Sequence, residues 1–510
     1  TSTSTAPGSP PCWKPAGRTR PRNKAFETGG RAGYLPAMSK DNPRLDFDPE
    51  AMRAMGYAMV DMVVDHWQHM GQKPAAVDLE PAALRAVLRE PLPEAPGDWR
   101  ETLELARASI FESMGQIAHP RFLAFVPGPS NPVAALGDIL TTGYNTAASL
   151  WRETPGPVEM ELTVLEWLRE LVGLPEGSQG IFTSGGSVAN LTGIAAGRAA
   201  ILGEDMAGAI AYCAGQTHSS VLRSFRILGF AREQVRAIAV DSDFRIDVAA
   251  LEEAIAQDRA AGLRPFCIVA NAGTTNTGAV DPMDRLADIA AAEDMWLHVD
   301  GAYGGAAALV AQGRAMLKGM ERADSVVIDP HKWLFQPYEA GVCFVRQGGL
   351  LERAFASNPE YLQDVAGSAE EVNFSDRGIQ LSRGARAFKM WLSLRIYGAR
   401  AFRAAVQAGV DTAETAEALL RESGRFEIVT PANLAVVTFR LLRPGVEGTA
   451  ADRMHRRIVD ALLADGYAFV TSTELNGRTC LRFCTINPRT TREDLAGTIA
   501  RIVRFGDEAA

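Results

Sequence analysis

Cysteine pairing is missing from this sequence. Its six cysteines, Cys12, Cys213, Cys267, Cys343, Cys480 and Cys484, are scattered, and no CxxC occurs. A core of this size needs no disulfide or metal staple, and the scatter suggests none. It fits small buried hydrophobes in a reducing compartment, so a cytoplasmic location is expected. Histidine is scarce, at seven in 510 residues. His66 and His69 stand three apart but bring no further ligand, so no metal site is expected. No apolar run approaches the ~20 residues of a membrane span, so no membrane partner is expected. Basic excess is lacking too. Lys and Arg number 52 against 61 Asp and Glu, a net charge of −9, which argues against a nucleic-acid partner.

What is present is ordinary for a globular enzyme or binding protein: 47% hydrophobic and 22% charged residues. A chain of this length holds about two to four structural units, and its cores need no staples. Residues 1–37 stand apart. Lys14, Arg18, Arg20, Arg22, Lys24 and Arg31 face only Glu27 there, among Thr, Ser, Pro and Gly. Such a segment buries too little apolar surface to order itself, so a disordered extension is expected. It has no apolar core of a secretory signal, and Met38-Ser39-Lys40 reads as a start.

Residues 38–128 read as a helical N-terminal segment. Asp48-Pro49-Glu50 supplies a cap, a first-turn proline and an acid. Met52, Met55, Met59, Met62 and Val63 follow at helical spacing, and Pro81 to Arg89 and Trp99 to Ser113 continue the pattern. This segment is too small to stand alone and is expected to pack on something larger. Residues 129–395 read as the large domain. Seven apolar runs alternate with helical ones: Ile181-Phe182, Ala209–Tyr212, Ala237–Val240, Phe266–Ala270, Trp296–Val299, Ser325–Ile328 and Gly341–Val345. Such alternation predicts an α/β fold with a seven-stranded, mainly parallel sheet flanked by helices. Ligands of such sheets sit at the carboxyl ends of the strands. Met390 to Leu420 is a helical connection. Residues 396–510 then read as a small α+β domain, with strands near 426–430, 435–440, 468–472 and 481–484 and helices near 450–465 and 492–505.

Three polar clusters follow strand ends. Thr183-Ser184-Gly185-Gly186-Ser187 opens a helix; it reads as a phosphate cradle or as a plain turn. Asp300, in His298-Val299-Asp300-Gly301-Ala302-Tyr303, caps a loop or holds a protonated heterocyclic nitrogen. Lys332, in Asp329-Pro330-His331-Lys332-Trp333, is a structural lysine paired with an acid, or a nucleophile whose pKa falls on desolvation. A cradle, a strand-end acid and a strand-end lysine together resemble the pyridoxal 5′-phosphate sites of the aspartate-aminotransferase-type fold, fold type I.

The sequence resembles the group II pyridoxal-dependent amino-acid decarboxylases, most of all the aromatic-L-amino-acid decarboxylases. The resemblance spans about residues 44 to 505. It rests on Leu45-Asp46-Phe47, His119-Pro120, Thr183 to Asn190, Thr217 to Ser220, Gly273 to Thr275, His298 to Tyr303 and Asp329 to Leu334. It implies that Lys332 carries the cofactor as a Schiff base and that Asp300 pairs with its ring nitrogen. His218 would stack on one ring face and Ala302 pack on the other. Gly186, Ser187 and Ser325 would bind the phosphate, with Thr275 near the ring and His331 near the substrate. Read without the family, His218 is as readily a structural histidine and Arg383 as readily a structural arginine.

The resemblance further implies a decarboxylase acting as a homodimer with shared active sites and an amino-acid substrate. Asn358-Pro359-Glu360-Tyr361-Leu362 matches the family's mobile loop, and Tyr361 would deliver the proton to the α-carbon. Relatives with phenylalanine there are aldehyde synthases, so tyrosine favours simple decarboxylation. The substrate pocket would include Phe125, Pro127, Tyr303, Tyr338 and Arg383, some of which read equally as core. The animal enzymes carry Tyr-Phe-Pro where this chain has Phe125-Val126-Pro127. They also carry bulkier residues at Ala147 and Ser149, which implies a roomier pocket here. Tryptophan, tyrosine, phenylalanine or dihydroxyphenylalanine is the expected substrate class. An acidic or diamino acid, or aldehyde formation, is the alternative.

Overall fold

The computed structural model describes Leu45, residues 48–357 and residues 370–508. The expectations for residues 1–37 and for Tyr361 lie outside the described residues. Compactness divides the chain into residues 1–58 and 59–510. In the first unit the Asp48 carboxylate accepts the Glu50 N–H at 2.9 Å and so caps α1 (Pro49–His69).

Two further short helices, α2 (Pro81–Leu88) and α3 (Trp99–Ala106), follow. Neither buries a residue, and Val87, Leu88 and Leu105 are exposed. The segments around them are tied to the rest of the second unit instead: Met70, Ala75 and Ala76 are buried, and the Ala75 N–H donates to the Gly466 carbonyl at 2.8 Å. Next come α4 (Pro132–Gly143) and α5 (Pro155–Val172).

The large sheet is built as the alternation predicts. Its elements run β1 (Gln179–Thr183), α6 (Gly186–Ile201), β2 (Ala209–Ala214), α7 (Ser219–Ile227), β3 (Val235–Ile238), α8 (Val248–Ala260), β4 (Arg264–Asn271), α9 (Met283–Ala292) and β5 (Trp296–Asp300). Then follow α10 (Ala311–Met316), β6 (Ser325–Ile328), β7 (Gly341–Val345) and α11 (Leu350–Phe355). The strand order is β1-β7-β6-β5-β4-β2-β3. Only β7 runs against its neighbours. The reason is the connection: β6 and β7 are joined by a loop with no crossover helix, and a plain loop returns the chain antiparallel. That loop carries Asp329 to Trp333.

Strands β2, β5 and β7 are buried along their whole length, as in a sheet covered on both faces. Helix α6 packs very close to it. A Cβ on Gly193 would stand 2.8 Å from His298, and one on Gly197 2.7 Å from Trp296. Bare backbone at these two positions brings the start of α6 level with the ends of β1 and β5.

After α12 (Ala387–Tyr397) and α13 (Ala399–Glu422), a second sheet forms from β8 (Phe426–Asn433), β9 (Val436–Leu441), β10 (Thr471–Leu475) and β11 (Arg478–Cys484). It is antiparallel, in the order β10-β11-β9-β8. Helices α14 (Gly448–Asp465) and α15 (Arg492–Glu508) pack with it around Phe439, Phe483, Ile458 and Ile502. No helix among the described residues is long and apolar enough to cross a membrane.

Candidate active site

The carboxyl ends of β1, β2, β4, β5 and β6 converge on a cleft of about 310 Å³. The sequence clusters meet there. Gly186 and Ser187 begin α6, His218 precedes α7, Thr275 follows β4, Asp300 ends β5, and Lys332 follows β6; all line the cleft, as do Ala302, Tyr303 and His331.

Asp300 is held by two donors. Asn190 Nδ2 donates to its Oδ2 at 3.0 Å, and the Ala302 N–H to its Oδ1 at 3.2 Å. Asn190 is itself oriented from behind. His298 Nε2 meets Asn190 Oδ1 at 2.9 Å, and His298 Nδ1 meets Ser325 Oγ at 2.7 Å. Trp296 Nε1 donates to the same Ser325 oxygen. Burial pushes the His298 imidazole down to about 4, so it is neutral at pH 7. One consistent hydrogen assignment follows. Trp296 donates to Ser325, Ser325 to His298 Nδ1, and His298 Nε2 to the Asn190 oxygen. That leaves the Asn190 amide hydrogens for Asp300 and for Ser220 Oγ, 3.0 Å away. Ser220 Oγ lies 2.8 Å from His218 Nδ1, and the Ser220 N–H points at the same nitrogen. His218 Nδ1 is thus an acceptor, and burial holds this ring below its ordinary pKa.

Lys332 Nζ lies 2.9 Å from Asp329 Oδ2. Burial alone would lower its pKa, as the sequence led us to expect. The Asp329 charge and hydrogen bond, with Asp300 behind them, outweigh burial and raise it instead. Beside Asp329 the Lys332 amine is therefore held in its ammonium form. His331 is buried, its Nδ1 accepts the Ala340 N–H at 3.1 Å, and burial with the nearby Lys332 charge pushes it down to about 3.

These features coincide with a known family. Residues 81–442 match the pyridoxal-dependent decarboxylase conserved domain. The chain belongs to the pyridoxal-dependent decarboxylases. An aromatic-L-amino-acid decarboxylase of Bacillus atrophaeus is 42% identical over 468 residues, covering 91% of this chain and 98% of the relative. A phenylacetaldehyde synthase of Arabidopsis thaliana is 32% identical, covering 88% and 94%. The structure of Oryza sativa TDC with PLP and tryptamine superposes with a TM-score of 0.86 at 31% identity, covering 91% of this chain and 99% of that one. This decarboxylase uses pyridoxal 5′-phosphate.

The residues in the cleft fit that cofactor. The cradle between β1 and α6 must be bare, because a Cβ on Gly186 would stand 2.8 Å from Asp329 Oδ2 and 3.0 Å from the Ala302 methyl. The first N–H groups of α6 have no partner inside the helix and no side chain caps them, which suits a phosphate. Asp300 offers a fixed carboxylate for a ring nitrogen, and Lys332 an amine for an aldehyde.

Two expected site residues are placed elsewhere in the decarboxylase. Ser325 is the first residue of β6, at the amino end, and is taken up by Trp296 and His298. It cannot reach a phosphate at the carboxyl end. Arg383 is buried against Glu161 of α5: Nη2 donates to Glu161 Oε1 at 2.6 Å and Nη1 to Oε2 at 3.0 Å. It also donates to the Ala148 and Phe182 carbonyls. A buried glutamate requires this counter-charge, and Arg383 does not line the cleft.

Phe125, Pro127 and Tyr338 are not among the residues lining the cleft, and Phe125 and Tyr338 are exposed. The Tyr338 ring lies 4.7 Å from that of His331, Pro127 is buried, and Phe125 packs edge-on against Phe469 at 5.7 Å. Tyr303 stacks on Trp333 at 5.4 Å, and its hydroxyl accepts the Ala435 N–H from the second sheet's β8–β9 connection. Sequence reasoning missed Asn190, Ser220 and Asn271, which also line the cleft. Asn271 ends β4 and donates to Asp281 and Thr217. Only their positions one turn into a helix or at a strand end mark them, and many unremarkable polar residues share such positions.

Proposed function

We propose that this chain converts aromatic L-amino acids to the corresponding amines and CO2, with Lys332 as the cofactor attachment point. Among the described residues lining the cleft, Lys332 is the one fixed cation, and that observation carries the substrate reading. His218 and His331 are held neutral, so nothing there pairs with a side-chain carboxylate. An acidic substrate would bury an unpaired charge. The near-full-length similarity to a Bacillus aromatic-L-amino-acid decarboxylase supports the same class.

The bound cofactor supplies the electron sink for the bond broken at the α-carbon. The protein supplies charge and alignment. Asp300 keeps a proton on the ring nitrogen through its negative charge. Asn190 and the Ala302 N–H fix that carboxylate in place. His218 offers a neutral ring face with its proton on Nε2. Before Lys332 Nζ attacks a carbonyl it must lose its proton, and Asp329 Oδ2, 2.9 Å away, accepts it. Tyr303, fixed at both its ring and its hydroxyl, closes one wall. Tyr361 is the proposed proton donor to the α-carbon.

Replacing Lys332 with Ala is expected to abolish the yellow cofactor absorbance and to cut CO2 release to background. Full activity in that variant contradicts the assignment. Aldehyde formation is the second reading, favoured by the Arabidopsis relative's name; it would show as oxygen uptake with peroxide. We also infer a homodimer. Helix α4 exposes Leu136, Ile139, Leu140 and Tyr144 beside an apolar hollow lined by Met160, Phe388 and Trp391. An apolar face of that kind belongs against a second chain. Sedimentation at micromolar protein should give twice the chain mass; a single-chain mass contradicts it.

A further inference from the structure

Asp329, the acceptor of the Lys332 proton, has a second oxygen with no task of its own. It directly follows β6, is 2% exposed, and its N–H is tied to the Ala302 carbonyl at 3.1 Å. Its Oδ2 meets Lys332 Nζ, but its Oδ1 has no hydrogen-bond partner among the described residues. A buried carboxylate oxygen left unpaired is costly. The carboxyl lies against the phosphate cradle. Its two oxygens are 2.8 and 3.3 Å from where a Cβ on Gly186, the first residue of α6, would stand.

The charges facing it are few. His331, Lys332 and the Tyr338 hydroxyl come from its own loop, Asp300 from β5 and His218 from the start of α7. The α6 terminus brings only Ser184, Gly185, Gly186, Ser187 and Val188, none of them ionisable. Lys332 is therefore the sole counter-charge. That balance changes when the cofactor binds. The lysine amine is committed to the cofactor aldehyde, and a phosphate with a charge of roughly −1.5 to −2 enters beside the carboxyl. Two contacting anions away from water cannot both stay fully ionised. The phosphate is held by the N–H groups of α6, whereas Asp329 Oδ1 has no donor. The proton therefore belongs on Asp329.

We propose that Asp329 acts in the loaded enzyme as a neutral carboxylic acid whose hydroxyl donates a hydrogen bond to the cofactor phosphate. The inference rests on the reading of the Gly185-Gly186 loop as the phosphate cradle. Burial, with Asp300 nearby, already holds this carboxyl above its ordinary pKa against the pull of Lys332. Asp329 can keep the proton that Lys332 gives up, whereas an amide there must release it to solvent, so wild type loses affinity relative to such a variant as pH rises.

The test is cofactor titration of the apoenzyme, followed by absorbance, for wild type and Asp329→Asn from about pH 6 to about pH 9. Asparagine donates without a proton to lose. The ratio of wild-type to variant Kd should be near one at the acid end and climb by up to about tenfold per pH unit. With pyridoxal, which lacks the phosphate, the ratio should stay flat. A flat ratio for the phosphate form, or the same climb for pyridoxal, overturns the proposal. Wild type that binds the two forms equally well overturns instead the cradle reading beneath it. A readout on the wild type alone covers a variant that misfolds. Infrared difference spectra on cofactor binding should gain a protonated-carboxyl C=O band, and its absence contradicts the proposal.

Discussion

Lys332 shows that burial alone does not set a charge. Desolvation argues for a depressed amine, and the sequence offers little else to reason from. Three residues away in the chain, Asp329 reverses the sign. The same logic separates the site residues that were legible from those that were not. Asp300 and Lys332 stand directly after apolar runs, where a parallel sheet must open to a ligand, so their placement follows from the pattern. Ser325 opens such a run instead of following it, and that position already argues for the far end of the strand. Asn190 ends the matching stretch Thr183 to Asn190, but its role is not legible there, because that role is a contact 110 residues away, with Asp300. Replacing Asn190 with Ala removes one of two donors on Asp300. It should cost about 1–3 kcal/mol of transition-state stabilisation, or roughly tenfold to a hundredfold in kcat/KM. Steady-state kinetics with unchanged kcat/KM would show that Asp300 does not depend on it.

Elements were more legible than contacts. All seven large-sheet runs form strands, because buried parallel strands read as unbroken apolar stretches between helical ones. The third is displaced, lying at Val235–Ile238, two residues earlier than expected, since Val240 leaves the sheet to bridge Ile246. The antiparallel course of β7 was not foreseen, although the missing crossover helix before it is its cause. Helix α6 was recognisable from its loop. What the sequence could not tell is that Gly193 and Gly197 are where it touches the sheet. A methyl group on Gly197 would meet the buried Trp296 indole at 2.7 Å. Gly197→Ala should therefore lose about 1–3 kcal/mol of stability, since a packed indole cannot withdraw. Urea denaturation measures this, and an unchanged midpoint contradicts the packing.

At the scale of the whole molecule, buried neutral histidines set the response to acid. Burial depresses His119 and His298 to about 4 and His331 to about 3. Between those values and the ordinary histidine value near 6.5, the unfolded chain binds more protons than the native one. Stability should thus be full above that value and fall as pH drops toward 4. Asp281, raised to about 6 by burial, works in the opposite sense, as do Asp329 and Asp376, but burial also lowers His66, His218 and His455, so six histidines stand against three carboxyls. Thermal unfolding followed from pH 7 to pH 5 should show a falling Tm; a level or rising Tm contradicts the burial of these rings. The helical preface is the part of the molecule least explained by its own chain. Its apolar spacing was readable in the sequence, but no residue of α1, α2 or α3 is buried among the described residues.

Aromatic amino-acid decarboxylation is tested by offering the enzyme a panel of amino acids. The purified enzyme is supplied with pyridoxal 5′-phosphate and offered L-tryptophan, L-tyrosine, L-phenylalanine, L-dihydroxyphenylalanine, L-glutamate and L-2,4-diaminobutyrate. CO2 release is measured and products are identified by mass. The account predicts at least one aromatic amine formed in equal amount to CO2, with no peroxide and no turnover of the acidic or diamino acids. Turnover confined to the acidic or diamino acids, or an aldehyde with peroxide as the main product, would contradict it.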